Sequence, residues 1–179
     1  MKRYIAFLRG INIGGKKKVS MIDLKESFEK LGFIDVKTYL NSGNVIFSSN
    51  EDNIEKLIIL IEEMLKNKFG FHIPIYIISR ENLEEVLLNA PKWWGNDDKE
   101  IYDNLIFIIP PATFSDVFNE IGEAKTDLEN IQNYKDVIFW SFIKKDYRKT
   151  NWWSRTSSAK ISNKLTIRTA NTVRKIVEM

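Results

Sequence analysis

Val36-Lys37-Thr38-Tyr39-Leu40-Asn41-Ser42-Gly43-Asn44-Val45-Ile46-Phe47 reads as two short strands, residues 36–40 and 45–47. The turn between them, Asn41-Ser42-Gly43-Asn44, is hairpin chemistry, because Gly and Asn tolerate positive φ. A helical stretch flanks this hairpin on each side. Upstream, residues 21–31 place Met21, Leu24, Phe28 and Leu31 at i, i+3/i+4 spacing. Ser20 with Asp23 forms a capping box at its start, and Gly32 is its stop signal. Downstream, residues 52–69 carry Ile54, Leu57, Ile58, Ile61 and Leu65 on one face. Two more strands lie outside the helices. The continuous apolar run 4–8 reads as a strand buried on both faces, and residues 73–78 form the other. The order β-α-β-β-α-β is that of the ferredoxin-like split βαβ unit.

The second half follows the same order with worn edges. A short helix over residues 80–89 precedes the loop Pro91-Lys92-Trp93-Trp94-Gly95-Asn96-Asp97-Asp98. Residues 101–109 form a strand that Pro110-Pro111 ends. Thr113 with Asp116 is a second capping box, opening a helix that reaches about residue 121. Residues 122–134 fit no single element. Residues 137–143 form a strand, 154–161 a helix, 165–167 a short strand and 171–177 a terminal helix. The expected fold is therefore α+β, two tandem ferredoxin-like units packed together. The first covers residues 1–79; the second covers 80–179 and ends in a basic segment. No sequence repeat relates the halves, so the tandem reading rests on element order. No Gly/Ser/Pro linker separates them, and tight packing of the units would account for a first strand that is apolar on both sides.

Composition narrows the chemistry. With 44% apolar and 28% charged side chains over 179 residues, the chain buries a core and belongs to the globular class. Its apolar runs fall far short of the ~20 residues of a membrane span. Residues 4–8 are too short for a signal-peptide core. The expectation is a cytoplasmic protein with no membrane association. There is no cysteine and one histidine, His72, so disulfides, thiolate catalysis, Ser-His-Asp triads and Cys/His metal clusters are excluded. No metal site and no cofactor are expected. The neighbouring acids Glu62-Glu63 and Asp97-Asp98 point apart on a regular element and make no acid/base dyad by themselves.

Charge is uneven. Residues 1–20 hold six Lys/Arg and no acid, and residues 144–179 hold ten Lys/Arg and two acids. The middle holds eleven basic and twenty-two acidic side chains. Two basic ends around an acidic middle attract anions if the ends meet; otherwise they are solvated faces. The loop after the first strand, Arg9-Gly10-Ile11-Asn12-Ile13-Gly14-Gly15-Lys16-Lys17-Lys18, concentrates that charge. Gly10, Gly15 and Lys16 stand at Walker A spacing, but Lys17 occupies the Ser/Thr position and the helix cap, Ser20, comes too late for a P-loop. Nucleotide hydrolysis is thereby excluded. A Gly-rich turn exposing amides among lysines suits an anion, and a plain turn with solvated lysines fits as well. In a βαββαβ unit the first strand runs beside the third, so strand order allows this loop and the Asn41–Asn44 turn to be neighbours without fixing that they are.

Two tryptophan pairs, Trp93-Trp94 and Trp152-Trp153, fall in expected loops. The second lies among Lys144, Lys145, Arg148, Lys149 and Arg155, the interleaving used to hold single-stranded nucleic acid. The competing reading is that the rings plug the junction between the units. An RNA-recognition strand is poorly matched, since Gly43-Asn44-Val45-Ile46-Phe47 supplies one aromatic ring.

Beyond these patterns, Tyr4-Ile5-Ala6-Phe7-Leu8-Arg9-Gly10-Ile11-Asn12-Ile13-Gly14-Gly15-Lys16, Leu31-Gly32-Phe33 and Thr38-Tyr39-Leu40-Asn41-Ser42-Gly43-Asn44-Val45-Ile46-Phe47 resemble the bacterial domain-of-unknown-function family numbered 1697. Near the other end, Thr166-Ile167-Arg168-Thr169-Ala170-Asn171-Thr172-Val173 resembles that family's Thr-x-Arg-Asn-Trp-x-Thr-Val element, with the tryptophan missing. The resemblance implies tandem ferredoxin-like units and a bacterial cytoplasmic setting. It supplies no activity, cofactor or catalytic residue.

The expected function is a binding module for an anionic ligand, nucleic acid or a phosphorylated small molecule. Its candidate residues are Arg9, Asn12, Gly14, Gly15, Lys16, Lys17, Lys18, Asn41, Ser42, Asn44, Arg168, Asn171 and Arg174. Two alternatives stay open: an enzyme acting on a small substrate through Asn41, Ser42, Asn44 and His72, and an interaction module using the tryptophan pairs. Oligomeric state is left open.

Overall fold

Serine 20 and asparagine 53 start the first two helices of the chain, and each does so with its own side chain. Ser20 accepts from the Asp23 amide and Asn53 from the Lys56 amide, meeting donors that have no partner inside a helix. The computed structural model describes all 179 residues, and it divides into two compact units. Met1–Glu85 with Ile176–Met179 form the first; Val86–Lys175 form the second. The division falls after Glu85, within a helix, where the sequence reading placed it after Ser79.

In the first unit the elements are β1 (Lys2–Leu8), α1 (Met21–Lys30), β2 (Ile34–Tyr39), β3 (Asn44–Ser49), α2 (Ile54–Phe69) and β4 (Ile75–Ser79). A third helix, α3 (Arg80–Leu88), follows. The strands form one antiparallel sheet in the order β2-β3-β1-β4. This is the ferredoxin-like order. One face of the sheet presents Tyr4, Ala6, Leu8, Val45, Phe47, Ile75 and Ile77 to Leu24 and Phe28 of α1 and Leu57, Ile61 and Leu65 of α2. Full burial of each large side chain here contributes about 1.5–3 kcal/mol. Ile5 and Phe7 are buried too, so both faces of β1 are covered, as its unbroken apolar run requires.

In the second unit β5 (Ile101–Ile108), α4 (Phe114–Ile121), β6 (Glu129–Tyr134), β7 (Val137–Ile143), α5 (Asn151–Ser158) and β8 (Leu165–Thr169) repeat the order, and α6 (Ala170–Val177) follows. The antiparallel sheet runs β6-β7-β5-β8, the same topology again. The expected capping box is complete: Thr113 and Asp116 each accept from the other's backbone amide.

Two expectations are corrected here. Residues 122–134, which fit no element, contain β6, a polar edge strand. Trp152-Trp153, expected in a loop, lie in the first turn of α5, which begins at Asn151 and ends at Ser158. The reason is a cap that the local sequence hides. Glu129 is buried, and its carboxylate accepts from the Asn151 amide at 2.6 Å, the Trp152 amide at 3.2 Å and Trp140 Nε1 at 3.1 Å. Thr150 adds its hydroxyl to the Trp153 amide. A carboxylate at a helix N-terminus satisfies orphan amides and opposes the helix dipole. Residues 160–164, beyond the end of α5, form a 3-10 turn.

Candidate ligand-binding loops

The loop after β1 is a small hairpin. Lys16 N donates to Ile13 O at 3.0 Å, and Asn12 N donates to Lys17 O at 3.1 Å. Gly14 and Gly15 both take positive φ, 57° and 74°, which makes the Ile13–Lys16 step a type I′ turn. Asn12 and Lys17 flank it, also with positive φ, 55° and 48°. The Lys16 amide is consumed by the turn, so it offers no P-loop cradle.

Asparagine 12 fixes this tip to its surroundings. Its Oδ1 accepts from Val19 N at 2.9 Å, and its Nδ2 donates to Val19 O at 3.0 Å and Asn41 O at 2.9 Å. The Gly/Lys loop and the Asn41–Asn44 turn therefore touch. The register explains why: Phe7 pairs with Asn44, so the end of β1 meets the start of β3. Leu8 N donates to Gly43 O at 2.8 Å. A Cβ on Gly43 would stand 2.8 Å from Leu8 Cβ and 2.7 Å from Ile11 Cδ1, so only glycine fits. Asn44 is fully buried and donates to Tyr39 O and to the Ser42 hydroxyl.

A third segment joins them. Arg9 N donates to Pro74 O at 2.9 Å, and Lys17 Nζ lies 5.7 Å from the centre of the Phe71 ring. The Arg9 side chain is half-buried, and burial holds its guanidinium below its ordinary pKa. Gly14, Gly15, Lys16, Lys17 and Lys18 are exposed. None of the three lysines pairs with a carboxylate. Between the loop and the start of α1 lies an open depression of about 480 Å³, lined by Asn12, Gly15, Lys18, Ser20, Met21 and Asn41. The sequence reading missed Phe71. Its signal was available, since β1 has both β3 and β4 as neighbours in this topology and all three loops end up at one end of the sheet.

His72 is exposed, with Nδ1 3.9 Å from Glu62 Oε2. Asn41 contributes its backbone carbonyl, and Ser42 and Asn44 bond within their own turn. The arrangement brings no general base to them.

In the second unit the candidate residues separate. Arg168 is 7% exposed and donates to Thr166 Oγ1 and Ile167 O; burial lowers its pKa to about 10. Arg174 donates to Gly95 O at 2.6 Å, lies over the Trp94 ring and stands 3.7 Å from Asp97. Asn171 lines a depression of about 330 Å³ with Asp97, Asp98, Asp103, Lys144 and Thr169. Each tryptophan pair sends one ring inward. Trp94 donates to Asn104 O and meets Phe139 edge-on, and Trp152 donates to Gly122 O within the second unit's own core. Trp153 stays 42% exposed.

The sequence pattern of the family described as "Protein of unknown function (DUF1697)" matches residues 1–139, and the chain belongs to that family. The chain is also similar to a solved structure titled "The structure of conserved bacterial protein SP0830 from Streptococcus pneumoniae". The two share 30% identity over 99% of this chain and 97% of the other, with a TM-score of 0.82. No protein of curated function matches the chain. No helix is long and apolar enough to cross a membrane.

Proposed function

We propose that the first unit binds a phosphate-bearing ligand, nucleic acid or a phosphorylated small molecule, at the loop of residues 12–18. One observation carries this reading. Three consecutive lysines without carboxylate partners stand on a tip that Asn12 ties to Val19 and Asn41 and whose residues 12, 14, 15 and 17 take left-handed conformations. Non-glycine residues at positive φ persist only where their surroundings enforce them, and Asn12 and Lys17 are two in one loop. A fixed tip loses little entropy on binding, which separates it from a solvated lysine run. The start of α1 beside Lys18 adds positive potential to the same depression. Arg168 and Arg174 are left out of this reading, because one is buried and the other is engaged by the residues 94–97 loop. A bacterial cytoplasmic setting belongs to the proposal, supported by the similar Streptococcus pneumoniae protein and the absence of cysteine.

The test is calorimetric titration with inorganic tripolyphosphate at ~50 mM salt, where screening is weak. The wild-type chain binds, and Lys16→Ala/Lys17→Ala/Lys18→Ala weakens binding by about tenfold or more, each lost cation removing electrostatic attraction. Equal heats from the two proteins would refute the reading.

A further inference from the structure

A second surface, in the other unit, combines open aromatic rings with cations. Tyr102 of β5 and Phe142 of β7 are paired in register, with ring centres 5.4 Å apart. Trp153 of α5 meets Phe142 at 5.5 Å and Tyr147 at 4.8 Å, edge-on in both cases. Together with Lys144 these four rings line a cleft of about 360 Å³. Trp153 is 42% exposed and Tyr102 39%, values at odds with rings recruited only to fill a core.

The rim is cationic. Lys144 Nζ donates to Lys99 O and lies 5.8 Å from the Tyr102 ring centre. Arg148 lies over Tyr147 at 5.4 Å and donates Nε to its hydroxyl. Asp146, the one acid of this 3-10 segment (Lys144–Lys149), is taken up by Lys149 at 2.7 Å. Lys144 and Arg148 form no ion pair with a carboxylate.

We propose that this cleft stacks bases of single-stranded nucleic acid on Trp153 and Tyr102, with Lys144 and Arg148 meeting the backbone phosphates. The complementarity selects this occupant. Aromatic faces suit bases of any sequence, and cations suit the charge that every nucleotide carries. A neutral glycan has the flat faces without the charge, and an apolar peptide has neither. The acidic depression with Asp97, Asp98 and Asp103 shares Tyr102 and Lys144 with the cleft. It closes that side to a polyanion, so the strand leaves past Tyr147 and Arg148. This surface is independent of the loop of residues 12–18.

Fluorescence anisotropy with 5′-labelled (dT)10 and (rU)10 at ~50 mM KCl tests it. Binding is expected to saturate and to weaken steeply with salt through counterion release. Trp153→Ala should weaken it by roughly 5- to 150-fold, the range for loss of one stacked base. Trp153→Phe should stay within a few-fold of wild type, and circular dichroism and thermal melting check that each variant folds. Lys144→Ala/Arg148→Ala should flatten the salt dependence by a log-log slope of roughly one to two. Should Trp153→Ala fail to fold, Tyr102→Ala, a partly exposed residue near the start of β5, replaces it. Absence of binding, or Trp153→Ala and Tyr102→Ala variants that bind like wild type, overturns the proposal. So does tryptophan quenching by cellohexaose with no oligonucleotide binding. Lys16→Ala/Lys17→Ala/Lys18→Ala, measured beside Trp153→Ala, separates the two readings, because the share of oligonucleotide binding that Trp153→Ala removes should persist in it. Loss of oligonucleotide binding in that variant, with Trp153→Ala unaffected, would move the nucleic acid to the first unit.

Discussion

Asn12 Nδ2 donates to Asn41 O at 2.9 Å and joins the loop after β1 to the β2–β3 turn. The same side chain holds both the amide and the carbonyl of Val19. One asparagine thus sets the position of the lysine tip against two other segments. Asn12→Ala removes all three bonds from a partly buried site, at a cost of about 2 kcal/mol. Asn12→Asp keeps the acceptor for the Val19 amide but sets a carboxylate oxygen against the Val19 and Asn41 carbonyls, so it should be no more stable than Asn12→Ala. Urea unfolding of the three proteins checks the order.

Gly43 combines positive φ with close approach, and Gly70 has positive φ alone. Both sit at 79°, yet a Cβ on Gly70 meets nothing within 4 Å. Gly70→Ala is expected to cost about 1 kcal/mol. Gly43→Ala adds overlap with Leu8 and Ile11 and should cost about 2–4 kcal/mol. The difference between the two melting curves isolates the contact between loop and turn.

Glu129 holds the start of α5 and the indole of Trp140 at once. Glu129→Ala orphans the Lys125, Asn151 and Trp152 amides and the Trp140 N–H, and should cost about 3 kcal/mol or more. Glu129→Gln presents an amide donor where only acceptors fit, so it should recover part of that loss at most. Chemical denaturation followed by tryptophan fluorescence reads both.

Asp116 provides a pH signature. The Thr113 hydroxyl, and then its backbone amide, hold the Asp116 carboxyl below the usual carboxylate range. The folded pKa lies below the unfolded one. The contribution of the pair is therefore present above the unfolded value, about 3.9, and is lost as pH falls through the folded value. Stability curves of wild type and Asp116→Asn should converge below that range and separate above it.

The regular frame was legible where the signals are local. Ser20 and Thr113 each cap the helix that begins beside them, and the apolar periods of α1 and α2 name side chains that are buried or packed against the core. Long-range partners were not legible. The start of α5 depends on Glu129, 22 residues earlier. β6 is an edge strand with Ile131 alone packed on the core, so it carries no alternation to read. The loop site was half legible. Strand order allowed the Gly/Lys loop to stand beside the turn but did not supply the Asn12–Asn41 bond that joins them, and Arg168 read as a surface cation and is buried in β8. Composition also gave no sign that Trp152 and Trp153, adjacent in sequence, face opposite environments on one helix.

The tip of residues 12–18 is the proposed phosphate site. Amide chemical shifts followed during titration with tripolyphosphate at low salt test it most directly. Saturating shifts confined to residues 12–20, the Asn41–Asn44 turn and Phe71 are expected, and none in the Lys16→Ala/Lys17→Ala/Lys18→Ala variant. Shifts that do not saturate, or that persist in that variant, would contradict it.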